Sequence, residues 1–156
     1  MLVSEWVLKW ALRLYPPLLL QRIWVKRFKK DFKGASIVVR KSLLNKNYNN
    51  SIFGGTLFAT ADPWYPLLFH QIFLRKGYRV IVWLKSAEIQ YLKPAHTDLH
   101  FDIDIDDQTI ADAERMLNSN GKFIRTFHIE MLNRHNEVCV NVQVEAYVRK
   151  LDIPAE

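Results

Sequence analysis

The sequence contains a single cysteine, Cys139, which excludes an intramolecular disulfide framework and an all-cysteine metal site. It also lacks any apolar run approaching the roughly 18–20 residues that a membrane-crossing helix needs. No signal peptide is expected, because Glu5 follows the opening MLVS, and Arg13 and Pro16-Pro17 interrupt the later apolar residues. Metal-ligand patterns are missing too. The five histidines (His70, His96, His100, His128 and His135) show no HExxH-like spacing, and no serine lies in a GxSxG turn. Asp102, Asp104, Asp106 and Asp107 superficially resemble a calcium loop. Position six is Asp107 instead of glycine, however, and position twelve is Ala113 instead of glutamate. The run therefore reads as a solvated face, and no metal is expected. A reducing cytoplasm is the compartment that best fits one unpaired cysteine.

What is present is ordinary globular material: 156 residues, 49% hydrophobic and 24% charged, enough to bury one core. The net charge of +6 is concentrated at one end. Residues 1–33 carry eight basic residues against Glu5 and Asp31, whereas residues 34–156 carry fourteen of each sign. Val3, Trp6, Val7, Trp10 and Leu14 recur at helical spacing, with Lys9 and Arg13 off the stripe. Leu20, Ile23, Trp24 and Phe28 repeat the pattern, opposite Lys26, Lys29 and Lys30. Residues 1–33 are thus expected to form a basic arm of two short amphipathic helices whose apolar faces pack on the domain. Contact with an anionic membrane surface is the alternative. Nucleic acid is not expected as a partner, since no reader motif accompanies the charge.

The remainder, 34–156, reads as one domain. A strand is expected over Ala35–Leu44, a polar loop over Asn45–Asn50, and a long apolar helix from about Phe53 to Lys76. Tyr78–Tyr91 reads as a β-branched and aromatic strand, and DLHFDIDID alternates as another. A short helix follows, stopped by Gly121. Lys122–Leu132 forms the next strand, with Phe123, Phe127, Ile129 and Met131 on one face. In the last strand Val138, Val140, Val142, Val144, Ala146 and Val148 face the core, and Cys139 falls on the wet side. Short turns between most strands favour an antiparallel sheet, and a helix apolar nearly all round should be wrapped by it: an α+β architecture.

The five glycines include one adjacent pair, Gly54-Gly55, within NYNNSIFGGTLFATAD. That stretch, with AEIQYLKPAHTDL and the early LYPPLLL, resembles the hotdog-fold thioesterases, most closely the PaaI-type acyl-CoA thioesterases and their uncharacterised relatives. In PaaI-type enzymes an NxHGxxHGG loop leads into the central helix, and an aspartate lies eight residues beyond the first glycine of the pair. Gly54, Gly55, Asp62 and Asn47 match that pattern here. Phe53 and Asn49 stand where the family has histidines, and Pro63 directly follows the aspartate, which disfavours helical geometry at Asp62.

The resemblance implies a curved antiparallel sheet around the central helix, a dimer or dimer of dimers, and acyl-CoA or acyl-carrier thioesters as substrate. It implies no cofactor beyond the CoA of the substrate. Asp62 would be the base or nucleophile, and Gly54 and Gly55 the oxyanion donors at a helix start. Asn47 and Phe53 would meet the substrate. Trp64, Tyr65, Phe69 and Trp83 could line an acyl pocket, though ordinary core packing explains them equally well, and Lys93 is one of several basic residues that could meet the CoA phosphates. Eight helical residues at about 1.5 Å each put Gly54 and Asp62 about 12 Å apart, so one thioester would use Gly54 of one subunit and Asp62 of another. Two other readings stand beside this one. Asp62 before Pro63 could simply cap a restarted helix. The chain could also be a non-catalytic hotdog module binding acyl chains or lipid, as the loss of both histidines suggests.

Overall fold

Strict alternation of Val with polar residues near the C-terminus produces the longest strand of the computed structural model, which describes residues 2–151. Residues 152–156 of the expected domain lie outside that range. In chain order the elements are α1 (Glu5–Leu14), α2 (Pro16–Leu20), β1 (Ile23–Phe28), β2 (Gly34–Val39), α3 (Gly54–Ala61), α4 (Trp64–Arg75), β3 (Val80–Tyr91), β4 (Leu99–Asp104), α5 (Asp107–Asn120), β5 (Lys122–Leu132) and β6 (Val138–Lys150). The six strands form one sheet, β1-β2-β4-β5-β6-β3, with every neighbouring pair antiparallel.

One face of this sheet packs on α3 and α4. Trp64, Leu68, Phe69 and Phe73 of α4 are fully buried, and α4 packs on β6 and β3. Phe69 sits in an aromatic cluster, 5.7 Å from Phe123 and 5.8 Å from Phe127 between ring centres. The all-round apolar helix is therefore the inner layer, as its composition requires.

Several expectations need correction. Residues 23–28, expected as the second arm helix, are the edge strand β1: Ile23, Val25 and Phe28 point inward, and a bulge between Val25 and Arg27 resets the alternation. Pairing with β2 gives the backbone groups of this six-residue segment ladder partners. Second, the stripe of Trp6, Val7, Trp10 and Leu14 on α1 does not pack on the domain. It faces solvent, and Leu8 and Leu12 pack on the core instead. Third, Cys139 is buried, not on the wet face. The register slips between Met131 and Leu132, whose partners are Val140 and Val138, so Cys139 is the extra residue of a bulge. Fourth, the long helix is two helices, α3 and α4, broken at Asp62-Pro63. β2 also ends at Val39, before the loop that builds the candidate site.

The acidic run finds structural employment. Asp104 pairs with Lys29 at 2.5 Å, Asp107 with Lys33 at 2.6 Å, and Asp102 accepts from the Ser36 hydroxyl. Asp106 caps α5.

Candidate functional site

The loop between β2 and α3 is held by asparagines whose short side chains substitute for backbone partners. Asn45 is buried; its Nδ2 donates to the carbonyls of Gln21 at 2.7 Å and Arg40 at 2.9 Å, and its Oδ1 accepts from the Ser42 amide at 2.8 Å. Asn47 Oδ1 accepts from the amides of Asn49 and Ser51, at 3.0 and 3.1 Å. The Phe53 amide donates to the Asn45 carbonyl at 2.7 Å, which fixes the entry into α3. Asn47 is thus an organiser of the loop as well as part of the cavity wall.

At the start of α3, Phe53 occupies the cap position with extended dihedrals (φ −61°, ψ 134°), but its side chain can accept nothing. Among the described residues no group accepts from the amides of Gly54 or Gly55. Both glycines are crowded. A Cβ on Gly54 would lie 3.1 Å from the Tyr91 hydroxyl, and one on Gly55 would lie 2.5 Å from the Phe53 ring. Only hydrogen at these positions lets Phe53 and Tyr91 close over the helix end. The Tyr91 hydroxyl donates to the Gly54 carbonyl at 3.0 Å, and burial pushes its pKa up, so it stays a donor.

These groups open into a cavity of about 590 Å³ whose wall includes Asn47, Gly54, Gly55, Tyr91, Lys93 and His96. His96 is anchored by a 3.1 Å contact between Nδ1 and the Asn50 carbonyl. Lys93 is paired with Glu137 at 2.8 Å, which raises the pKa of its ammonium and keeps it charged at the cavity rim.

Asp62 lies at the other end of α3 and does not line this cavity. Its dihedrals are helical (φ −60°, ψ −54°) despite the following proline, against the expectation drawn from Pro63. The cap residue of α4 is Pro63, and no side-chain bond caps that helix, so the carboxylate of Asp62 does not serve as its N-cap. Among the described residues, no donor contacts that carboxylate. Part of Asp62 reaches solvent, yet burial of the rest pushes its pKa above the ordinary carboxylate value. The chain therefore brings Asn47, Gly54, Gly55 and the nearby Phe53 together, and leaves Asp62 a helix length away.

The aromatic residues divide. Trp64 is fully buried, its indole donating to the Thr60 carbonyl at 2.5 Å, and Tyr65 stacks on Phe127 with ring centres 4.0 Å apart. Burial pushes the Tyr65 hydroxyl up to about 12. Trp83 sits on the far face of the sheet, stacked on Tyr147 at 4.3 Å, away from α3 and α4. Tyr91 and His96 were not singled out as site residues in the sequence. Their approach to residues 50–54 spans about forty positions of chain, and only the sheet brings it about.

Residues 4–148 match the family described as "Domain of unknown function (DUF4442)". The chain belongs to this family. No curated protein is significantly similar to it in sequence. Among solved structures, it is similar to a protein of unknown function and probable thioesterase from Pseudomonas aeruginosa, with TM-score 0.81 and 15% identity over 97% of this chain and 99% of that one. A thioesterase from Haemophilus influenzae matches with TM-score 0.69 and 15% identity over the whole of both chains. The PaaI protein of the E. coli phenylacetic acid degradation operon matches with TM-score 0.64 and 13% identity, covering 96% and 97%. The DUF4442 chain has the hotdog fold.

Proposed function

We propose that this DUF4442 protein hydrolyses acyl thioesters of coenzyme A or of an acyl carrier. The observation that carries the reading is the uncapped start of α3: two glycine amides without acceptors among the described residues, at the wall of a cavity. A helix start concentrates unpartnered donors and a partial positive charge, which suits an oxygen that becomes negative during reaction. The relatives named as thioesterases share the fold in which this helix is central.

In the reaction, a water oxygen bonds to the thioester carbonyl carbon while Asp62 takes one of its protons. The carbonyl oxygen becomes an oxyanion that the amides of Gly54 and Gly55 bind. As the intermediate collapses, the carbon–sulfur bond breaks and the thiolate leaves. With a pKa of roughly 8.5 it departs without prior protonation. The product acid and the thiol then share the remaining protons with solvent. A raised pKa makes Asp62 a better base than an ordinary carboxylate.

Asp62 must come from a second copy, since α3 separates it from Gly54 by about 12 Å. β3 forms one edge of the sheet, and its twelve residues offer a free ladder for pairing with another β3. Such a dimer would set two α3 helices antiparallel. Asn47 and Lys93 would then position substrate, with the Lys93 charge toward the CoA phosphates. The cellular setting that fits this chemistry is the cytoplasm.

A second reading keeps the fold and drops the chemistry. Phe53 is 57% exposed and lies over Gly55, where it could hold an acyl chain in a non-catalytic binding module. The test is free-thiol release from short, medium, long and aromatic acyl-CoAs, with wild type beside Asp62→Asn. Turnover reduced on the order of 100-fold in the variant supports hydrolysis with Asp62 as base. Binding of acyl-CoA with no turnover on any substrate supports the module.

A further inference from the structure

Helix α1 has two apolar sides. Leu8 and Leu12 pack on the core, and Arg13 Nε donates to the Val25 carbonyl of edge strand β1 at 3.3 Å, so the helix is firmly docked. Its other side shows Trp6 (69% exposed), Val7, Trp10 and Leu14 (70%) to solvent, continued by Leu20 (61%) at the end of α2. Nothing in the core accounts for two tryptophans and a leucine held outward on a rigid helix.

Cations are interleaved with this face. Lys9 lies 5.8 Å and Arg13 4.9 Å from the centre of the Trp10 ring. Arg13 is also 5.8 Å from the centre of the Trp24 ring, and Arg22 lies 5.5 Å from it. Exposed Lys26 and Arg27 continue the row along β1. The whole excess charge of the chain, +6, belongs to residues 1–33. Glu5, which accepts from the Asp31 amide at 3.1 Å, and Asp31 are the two acidic residues of this region, against eight basic ones.

We infer that α1 and α2 dock on an anionic bilayer surface. Indole rings partition to the level of lipid headgroups, leucine and valine enter the acyl boundary, and lysine and arginine meet the phosphates. A two-fold contact with a second copy fits less well. It would set Lys9, Arg13, Lys26 and Arg27 against the same cations of the partner. No helix among the described residues is long and apolar enough to cross a membrane, and surface docking does not require one. The inference does not depend on thioester hydrolysis, and its readouts do not involve turnover.

The test sediments the full chain with vesicles of phosphatidylcholine alone, or with about one third phosphatidylglycerol. Co-sedimentation with the anionic vesicles only is expected, fading as salt rises from about 0.05 to 0.5 M. Trp6→Ser/Leu14→Ser should weaken partitioning on the order of tenfold or more with an unchanged melting temperature. Brominated phosphatidylcholine included in the anionic vesicles should quench wild-type tryptophan emission, a readout that needs no variant. Absence of partitioning at low salt, equal binding to neutral vesicles, or no quenching would overturn the inference. So would a variant that binds vesicles normally, or one that loses a self-association present in wild type.

Discussion

Two helices of this protein begin in opposite ways. At α5 the Asp106 carboxylate accepts from the Thr109 amide at 2.6 Å, and that bond holds its pKa below the usual value. At α3 the equivalent position is Phe53, and the glycine amides beyond it find no acceptor among the described residues. The same contrast separates two aspartates. Asp106 is held down by hydrogen bonds it makes, whereas Asp62 makes none among the described residues and is pushed up by burial. A helix start costs about 1 kcal/mol when uncapped, and a partly desolvated carboxylate without a donor adds a smaller cost. Such costs persist where the groups are needed for something other than stability.

The largest expected effect comes from erasing the contrast. Phe53→Asp gives α3 the cap that α5 already has, at a position with suitable extended dihedrals. Its carboxylate should occupy the free amides. Thiol release should fall on the order of 100-fold, as when an oxyanion donor is lost. The melting temperature should hold or rise by about 2–4 °C, the return on about 1 kcal/mol in a domain of this size.

Gly55→Ala sharpens the comparison at the next residue. Its methyl group meets the Phe53 ring at 2.5 Å and must displace it. Turnover should drop about tenfold, less than for loss of a full donor because the amide remains. Adding Phe53→Ala should recover part of that loss.

Smaller effects concern stability and pH. Because the folded state raises the Asp62 pKa above 3.8, it holds a proton there that the unfolded chain has already lost. Stability therefore falls as pH rises through that window. Asp62→Asn should match or exceed the wild-type melting temperature at neutral pH, with the difference vanishing in acid below 3.8. Asp106 has the opposite sign. Its depressed pKa contributes stability above 3.8 that is lost as pH falls through the folded value. Asp106→Ala should lower the melting temperature at neutral pH and change little in strong acid.

The sequence announced some of this and hid the rest for physical reasons. Gly54-Gly55 stood out against scarce glycine, and the alternation of β6 has one dominant period. The spacing of Leu20, Ile23, Trp24 and Phe28 imitates a helix because the bulge after Val25 shifts a two-residue period. The same device hid Cys139. The outward face of α1 was indistinguishable from a core face, since periodicity shows which residues share a side but not what covers it. Trp64 and Tyr65 read equally as pocket or packing, and the structure places both in the core. Tyr91 over Gly54 is a contact across 37 positions, which local patterns do not encode.

The most direct measurement is thiol release from the acyl-CoA panel by wild type, Asp62→Asn and Asp106→Asn, compared at equal folded concentration. The account predicts a fall on the order of 100-fold for Asp62→Asn and rates near wild type for Asp106→Asn. Hydrolysis by Asp62→Asn at the wild-type rate, or equal losses in both variants, would contradict it.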